Sequence, residues 1–243
     1  MIVNAQLIHA TPQLNTSPAQ KFSSRYTLEM LNVINSLVGP KGASALLRAA
    51  GLLENLPPKL NQRHENTIPY VYLANLFRTL DFIYGPRGAR SIAYQVGKQS
   101  FEPAFGAFDL VAHTRSNQGK LFSTAEKLEA ALCALAEISA QSSDQHIVLA
   151  DHTDHFRFTV GNCPICSVPM NVDLPICYFT VGYLRGGLQS ILGMNDFPIQ
   201  EIECVAKGDP ACVFTIRKKR FTTNEIGSGL TGFLSLPEHL REE

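Results

Sequence analysis

Residues 177–212 read CYFTVGYLRGGLQSILGMNDFPIQEIECVAKGDPAC. The first half is an apolar segment with Arg185 at its centre and Gly182 and Gly186 at small-xxx-small spacing. It reads as a buried amphipathic helix whose glycines let another backbone, or a flat ligand, come close. The second half opens a hairpin, Glu201 to Ile216, reversed at Lys207-Gly208-Asp209-Pro210, where Gly and Pro favour a tight turn. Glu201 and Cys204 are three residues apart and Cys212 follows eight later, so the reversal brings Cys204 and Cys212 together. Cys177 then supplies a further thiol from outside the hairpin. Cys177, Glu201, Cys204 and Cys212 form a tetrahedral S/O set that suits zinc. Four protein ligands leave no open position for water, so such an ion holds the helix to the hairpin and does not catalyse hydrolysis.

Just upstream, Cys163-Pro164-Ile165-Cys166 adds a thiol pair, giving more candidate ligands than places. The alternative is that Cys163 and Cys166 join two downstream cysteines in an all-thiolate zinc site or an iron-sulfur cluster, displacing Glu201. The remaining cysteine, Cys133, lies in an Ala-rich helix and reads as a small buried hydrophobe. That helix is marked by a capping box, Ser123-Thr124-Ala125-Glu126, and by Leu128, Leu132, Leu135 and Ile138 at helical spacing.

Between that helix and the thiol pair the period changes. His146 to Ala150 and Phe156 to Val160 read as strands joined by Asp151-His152-Thr153-Asp154. Asp151, His152, Asp154 and His155 read as a polar turn with exposed imidazoles in preference to a second metal site or a tetrapyrrole ligand. The order of helices, hairpin, helix and hairpin defines the fold class: α+β, with an antiparallel sheet covered by helices.

Towards the N-terminus an internal repeat appears. Leu37-Val38-Gly39-Pro40-Lys41-Gly42-Ala43 with Gly51 is echoed by Ile83-Tyr84-Gly85-Pro86-Arg87-Gly88-Ala89 with Gly97. Each copy reads as a helix-turn-helix unit, with Gly ending one helix and Pro near the start of the next. Neither turn has the Gly-Lys-Ser/Thr ending or the preceding strand of a phosphate loop. Leu56-Pro57-Pro58 and the polar stretch to Asn66 separate the copies. The expected organisation is an irregular arm and helical unit over residues 1–66, a ligand-binding domain over 67–220 and a tail over 221–243. The first unit is a candidate dimer contact. The tail carries Leu230, Phe233, Leu234 and Leu236, which argue against a purely disordered end.

Phe101, Phe105 and Phe108, with Pro103 and Gly106 between them, form an aromatic-rich stretch that reads as ordinary core or as the wall of a ligand pocket. His113 follows in Val111-Ala112-His113-Thr114, placed either to meet a polar group on a ligand or at the surface. The basic run Arg217-Lys218-Lys219-Arg220 reads as a solvated strand end, with an acidic partner or membrane surface as the minor alternative.

Composition bounds the rest. A chain of 243 residues that is 45% hydrophobic supports a substantial core, and 21 basic residues balance 21 acidic ones, so no global field favours nucleic acid. Six cysteines in a chain of this length do not suggest a secreted disulfide scaffold. The start lacks the basic and apolar runs of a signal peptide, and no segment reads as a transmembrane span. The expectation is a cytoplasmic protein, or one peripheral to a membrane.

Cys177, Gly182-Tyr183, Glu201, Cys204, Gly208-Asp209 and Cys212 together resemble the 4-vinyl-reductase domain family. They are similar in particular to the metal-binding end of the sensor domain in bacterial activators that respond to phenols and xylenes. The resemblance covers about the last third of the chain and is general before it. It implies a hydrophobic pocket between the sheet and the preceding helices, and a chlorophyll-pathway tetrapyrrole as the expected ligand. The family name suggests vinyl reduction, but no G-x-G-x-x-G follows a strand and no flavin or nicotinamide site is evident. The expected function is therefore non-catalytic: a carrier or photosynthetic assembly factor, homodimeric and working beside pigment-pathway proteins. The alternatives are a sensor of aromatic or lipid-like effectors that signals through a partner, and an interaction scaffold.

Overall fold

A computed structural model describes residues 20–52, 67–120, 123–168, 172–194 and 196–220. The N-terminal arm before Gln20, the Pro57-Pro58 break with the stretch to Asn66, and the tail from Phe221 lie outside the described residues.

A short strand leads into each of the first two helices. Strand β1 (Lys21–Ser23) precedes α1 (Ser24–Ala49), and β2 (Thr67–Pro69) precedes α2 (Tyr70–Phe105). The two strands pair antiparallel with Phe22 opposite Ile68. Helices α3 (Asp109–Asn117) and α4 (Thr124–Ser142) follow, then the hairpin of β3 (His146–Asp151) and β4 (His155–Gly161). Helix α5 (Tyr178–Leu192) and the hairpin of β5 (Ile199–Glu203) and β6 (Cys212–Arg217) complete the described elements. The main sheet is antiparallel in the order β3-β4-β6-β5. The expected α+β class is the one found.

Period two along β4 buries Phe156, Phe158 and Val160 on one face, opposite Ile216, Phe214 and Cys212 of β6. Each fully buried phenylalanine contributes roughly 2–3 kcal/mol by removal from water. The α4 capping box is present, with Ser123 Oγ accepting from the Glu126 N–H at 3.1 Å and Glu126 Oε2 accepting from the Ser123 N–H at 2.8 Å. Leu128, Leu132, Leu135 and Ile138 are buried beneath it. Cys133 is exposed, contrary to the sequence reading. One residue beyond Leu132 is a rotation of about 100°, which carries the thiol off the core-facing stripe.

The repeat is conformational as well as sequential. Gly39 (φ 74°, ψ 166°) and Gly85 (φ 67°, ψ 171°) interrupt their helices in nearly the same backbone state, one that glycine adopts without strain. Proline restarts the helix after each. In α2 the break is a reversal: the Phe179 ring lies 5.3 Å from that of Phe77, and the Phe179 carbonyl lies against Gly97. A straight helix would hold positions 77 and 97 about 30 Å apart.

The later glycine of each copy serves a different end. Gly51, at φ 70°, lies just beyond α1, whereas Gly97 lies in the crossing of α2 and α5. A Cβ at Gly97 would run into the Phe179 carbonyl, and one at Gly182 into the Tyr94 carbonyl. Gly186 completes the contact, where a Cβ would stand 2.5 Å from the Lys98 oxygen. The small-xxx-small face of α5 thus admits a backbone here and not a flat ligand. Among the described residues no helix is long and apolar enough to cross a membrane.

Candidate metal centre and binding cavity

Three turns bring the thiols together. After β4 the chain passes Asn162, at φ 53°, into the Cys163–Cys166 turn, where Ser167 Oγ donates to the Pro164 carbonyl at 3.2 Å. Cys177 stands immediately before α5, and its N–H donates to Glu201 Oε2 of β5 at 2.8 Å. Between β5 and β6, a short 3₁₀ turn at Val205–Lys207 and a left-handed Gly208 (φ 100°) reverse the chain. Asp209 Oδ2 accepts from the Cys204 N–H at 2.8 Å, and the Val205 N–H donates to Cys212 Sγ at 3.4 Å. The Lys207-Gly208-Asp209-Pro210 reversal therefore forms and brings Cys204 to Cys212.

Five sulfurs meet in this nest, all buried and none in a disulfide. Cys177 Sγ lies 3.5 Å from Cys163, 3.1 Å from Cys166 and 3.6 Å from Cys212. Cys166 Sγ lies 3.7 Å from Cys204 and 3.8 Å from Cys212. Four thiolates around one zinc, each at about 2.3 Å, stand about 3.8 Å from one another. The nest is thus spaced for a single ion. An iron-sulfur cluster interposes iron and sulfide between its cysteines and needs its sulfurs farther apart.

Two ligand sets overlap. Cys163, Cys166, Cys177 and Cys212 converge within 4.8 Å, and so do Cys177, Glu201, Cys204 and Cys212. Cys177 and Cys212 belong to both. Glu201 Oε1 is buried without a hydrogen-bond partner among the described residues, as a carboxylate oxygen reserved for a cation would be.

The electrostatics agree with a cation at this point. Burial, with the Cys204 and Cys212 thiols added, pushes the Glu201 carboxyl up to about 10. Contacts with Cys166 and Cys177 hold Cys204 down at about 6. Cys163 pushes Cys212 up, but Cys166, Cys177 and Cys204 together hold it at about 5. A group of acceptors that forces some members to ionise and others to stay protonated is relieved by a divalent ion. Arg90 and Tyr178 adjoin the nest unannounced by any motif. The guanidinium stacks 4.5 Å above the Tyr178 ring, next in sequence to Cys177. The single signal for it in the sequence is the basic residue placed shortly after the second Gly-Pro turn.

The four residues expected to line a ligand site divide. Phe101 and Phe105 are fully buried in the last turns of α2, where Phe101 packs on Tyr183 at 5.4 Å and Phe105 on Tyr26 at 4.6 Å. Phe108 and His113 instead border an open groove of about 690 Å³ with Arg25, Leu110 and Gln141. His113 is exposed, with Nε2 2.8 Å from Asn117 Nδ2. A small, partly open cavity of about 20 Å³ lies between sheet and helices, lined by Phe22, Tyr26, Phe158, Val160, Phe179 and Tyr183. Of its lining residues from β1, α1 and α5, Tyr183 belongs to the Gly182-Tyr183 motif, and the others carried no sequence signal of their own.

The remaining candidates are structural. His152 and His155 stack at 4.7 Å in the β3–β4 turn, and His155 Nδ1 is 2.8 Å from Asp154 Oδ1. Lys218 pairs with Asp151 and Arg220 with Asp196, so two of the four basic residues in the run 217–220 are taken up within the fold.

Residues 156–218, from β4 to just past β6, match the 4-vinyl-reductase domain family. Every thiol of the nest and Glu201 lie inside that span, which confirms the resemblance carried by the motif. An uncharacterized protein of Methanocaldococcus jannaschii is 39% identical over 57 residues, 24% of this chain and 30% of that protein. The chain thus spans about 30% of that relative's length. Among solved structures, the chain is similar to an Fe(II) unliganded H-NOX protein from K. algicida, with TM-score 0.53 and 10% identity over 82% of this chain and 97% of that one. A mutant H-NOX protein from S. oneidensis in the Fe(II) state gives TM-score 0.51 and 11% identity over 82% and 98%. These two share its fold. The phenol-responsive sensory domain of the transcription activator PoxR, with phenol, gives TM-score 0.46 and 19% identity over 80% and 97%.

Proposed function

We propose that this chain is a non-catalytic, metal-stapled module that binds a hydrophobic small molecule. One observation carries the reading. Cys177, common to both ligand sets, opens α5, and the same helix presents Phe179, Thr180 and Tyr183 to the small cavity. An ion held by the nest fixes a cavity wall through one turn of helix. Zinc is the ion the donors favour, closed by Cys177, Cys204 and Cys212 with Glu201, or by Cys163 and Cys166 with Cys177 and Cys212. When bound it supplies structure, because every position is filled by protein.

The ligand's size separates two forms of this reading. The cavity of about 20 Å³ has room for about one water, so occupancy requires some repacking of its aromatic walls. That favours a single small aromatic effector and a sensor role through a partner. The carrier form, with a chlorophyll-pathway tetrapyrrole, is supported by the groove of about 690 Å³, where Phe108 offers a face and Arg25 and His113 offer polar ends.

Native mass spectrometry of the full chain purified from its own host, with metal analysis and an absorption spectrum, tests the reading. One zinc per chain with a tetrapyrrole mass supports the carrier. One zinc with no pigment, and a melting temperature raised by phenol, supports the sensor. A metal-free chain whose melting temperature does not rise when zinc is added overturns the staple.

A further inference from the structure

The repeated Gly-Pro turns are absorbed by neither the metal centre nor the cavity. Leu37, Phe82, Ile83 and Tyr84 are four of the six large hydrophobic residues exposed among the described residues, and all four flank these turns. Phe82 is 88% exposed. Pro40 and Pro86 are exposed as well. The turns lie side by side, since a Cβ on Gly42 would stand 3.3 Å from Tyr84 Oη. The two copies thus build one projecting apolar knob at the end where the helices reverse. A turn between helices that serves the core alone is polar, and a cluster of exposed apolar side chains marks a surface that meets something.

The charges around the knob are one-sided. Lys41 and Arg87 occupy equivalent positions in the two turns and are exposed, as is Arg78, four residues before Phe82 and on its face of the helix. Asp81 is the one acidic residue in segments 36–42 and 78–88, against three basic ones, in a chain with net charge zero. The basic run 217–220 lies elsewhere, with Lys218 and Arg220 paired to Asp151 and Asp196; this cluster does not draw on it.

We infer that the double turn docks on an anionic lipid surface. Phe82 and Ile83 enter the boundary between headgroups and acyl chains, Tyr84 rests at the interface, and Lys41, Arg78 and Arg87 face the headgroup charge. A bilayer accepts a projecting phenylalanine without a pocket shaped to receive it. A second copy is the weaker occupant, because a two-fold contact between knobs brings two patches of the same net positive charge together. The inference is independent of the metal and the ligand.

The test is co-sedimentation of the full chain with vesicles of phosphatidylcholine alone and of phosphatidylcholine mixed with phosphatidylserine. Binding to the mixed vesicles, weaker by at least about tenfold without phosphatidylserine, is expected. The double variant Lys41→Gln, Arg87→Gln should weaken it about thirtyfold, from two charges at about 1 kcal/mol each. Phe82→Asp should abolish it while leaving the circular dichroism spectrum and metal content unchanged, since the ring takes no part in the core. Wild-type chain that stays in solution with the mixed vesicles overturns the inference. So does Phe82→Asp protein that sediments as the wild type does. A Phe82→Asp variant that changes sedimentation coefficient in vesicle-free ultracentrifugation, with vesicle binding intact, reassigns the knob to self-contact.

Discussion

The thiol nest and the double turn break the ordinary rules of burial in opposite senses. The nest buries five thiols and a carboxylate that repel one another, whereas the double turn exposes aromatic and aliphatic side chains that the core would have accepted. Both lie close to the same helix, for Arg90, five residues beyond Gly85, stacks on Tyr178 beside the nest. A misplaced residue type, inward or outward, is where the chain gives up stability for a partner. Inside, the partner we propose is an ion; outside, it is a lipid surface.

The contrast breaks most sharply at the ligands common to both sets. Cys177→Ala or Cys212→Ala should cost the metal and most of the chain's stability together, because a structural zinc contributes on the order of 10 kcal/mol, comparable to a domain's whole stability. Metal analysis and circular dichroism read both, and a folded, metal-replete Cys212→Ala protein would sink the staple. Next come the glycines beneath the two regions. Gly182→Ala drives a methyl into the Tyr94 carbonyl and should cost about 3 kcal/mol in denaturant unfolding. Gly85→Ala meets only its own positive φ, with open space around it, and should cost about 1–2 kcal/mol.

Glu201→Gln sharpens the inner half of the comparison. If Glu201 is a ligand, the variant loses metal while Cys163→Ser keeps it; an all-thiolate site gives the reverse. The stripped chain adds a pH test. Glu201 rises on folding from 4.5 to about 10, so its contribution to stability is present below pH 4.5 and is lost as pH climbs towards 10. The glutamine variant stays neutral and should lose less stability over that window in urea titrations. The smallest effect belongs to neither region. Ser123→Ala removes one half of the α4 capping box and should cost about 1 kcal/mol.

Local chemistry was the legible part of this chain. The Ser123 and Glu126 box, the period-two face of β4 and the Gly208 reversal each follow from neighbours within a few residues, and each was readable in the order of the amino acids. The repeat was equally plain, since Gly followed by Pro favours the end of one helix and the start of another. Cys133 misled because composition said Ala-rich helix while the 100° step between neighbours decided the face. Phe101 and Phe105 matched a pocket wall in type, yet the cavity beside them is lined by Tyr26 and Tyr183, which come from α1 and α5. Which thiols converge was also illegible, because the Cys163–Cys166 turn meets the hairpin only through tertiary packing. Long-range convergence leaves no periodic trace in the sequence.

Cys177 closes the start of α5 without any side-chain hydrogen bond to the helix's first amides. The partial positive charge that aligned peptide dipoles place at a helix N-terminus therefore faces the thiolates, favouring their ionised form. An ion held by four anionic ligands keeps a net negative charge, and that charge in turn caps the helix. Removal of the metal should accordingly loosen α5 from its first turn onward, so that amide exchange at Phe179 and Thr180 quickens before exchange at Leu188 and Ile191.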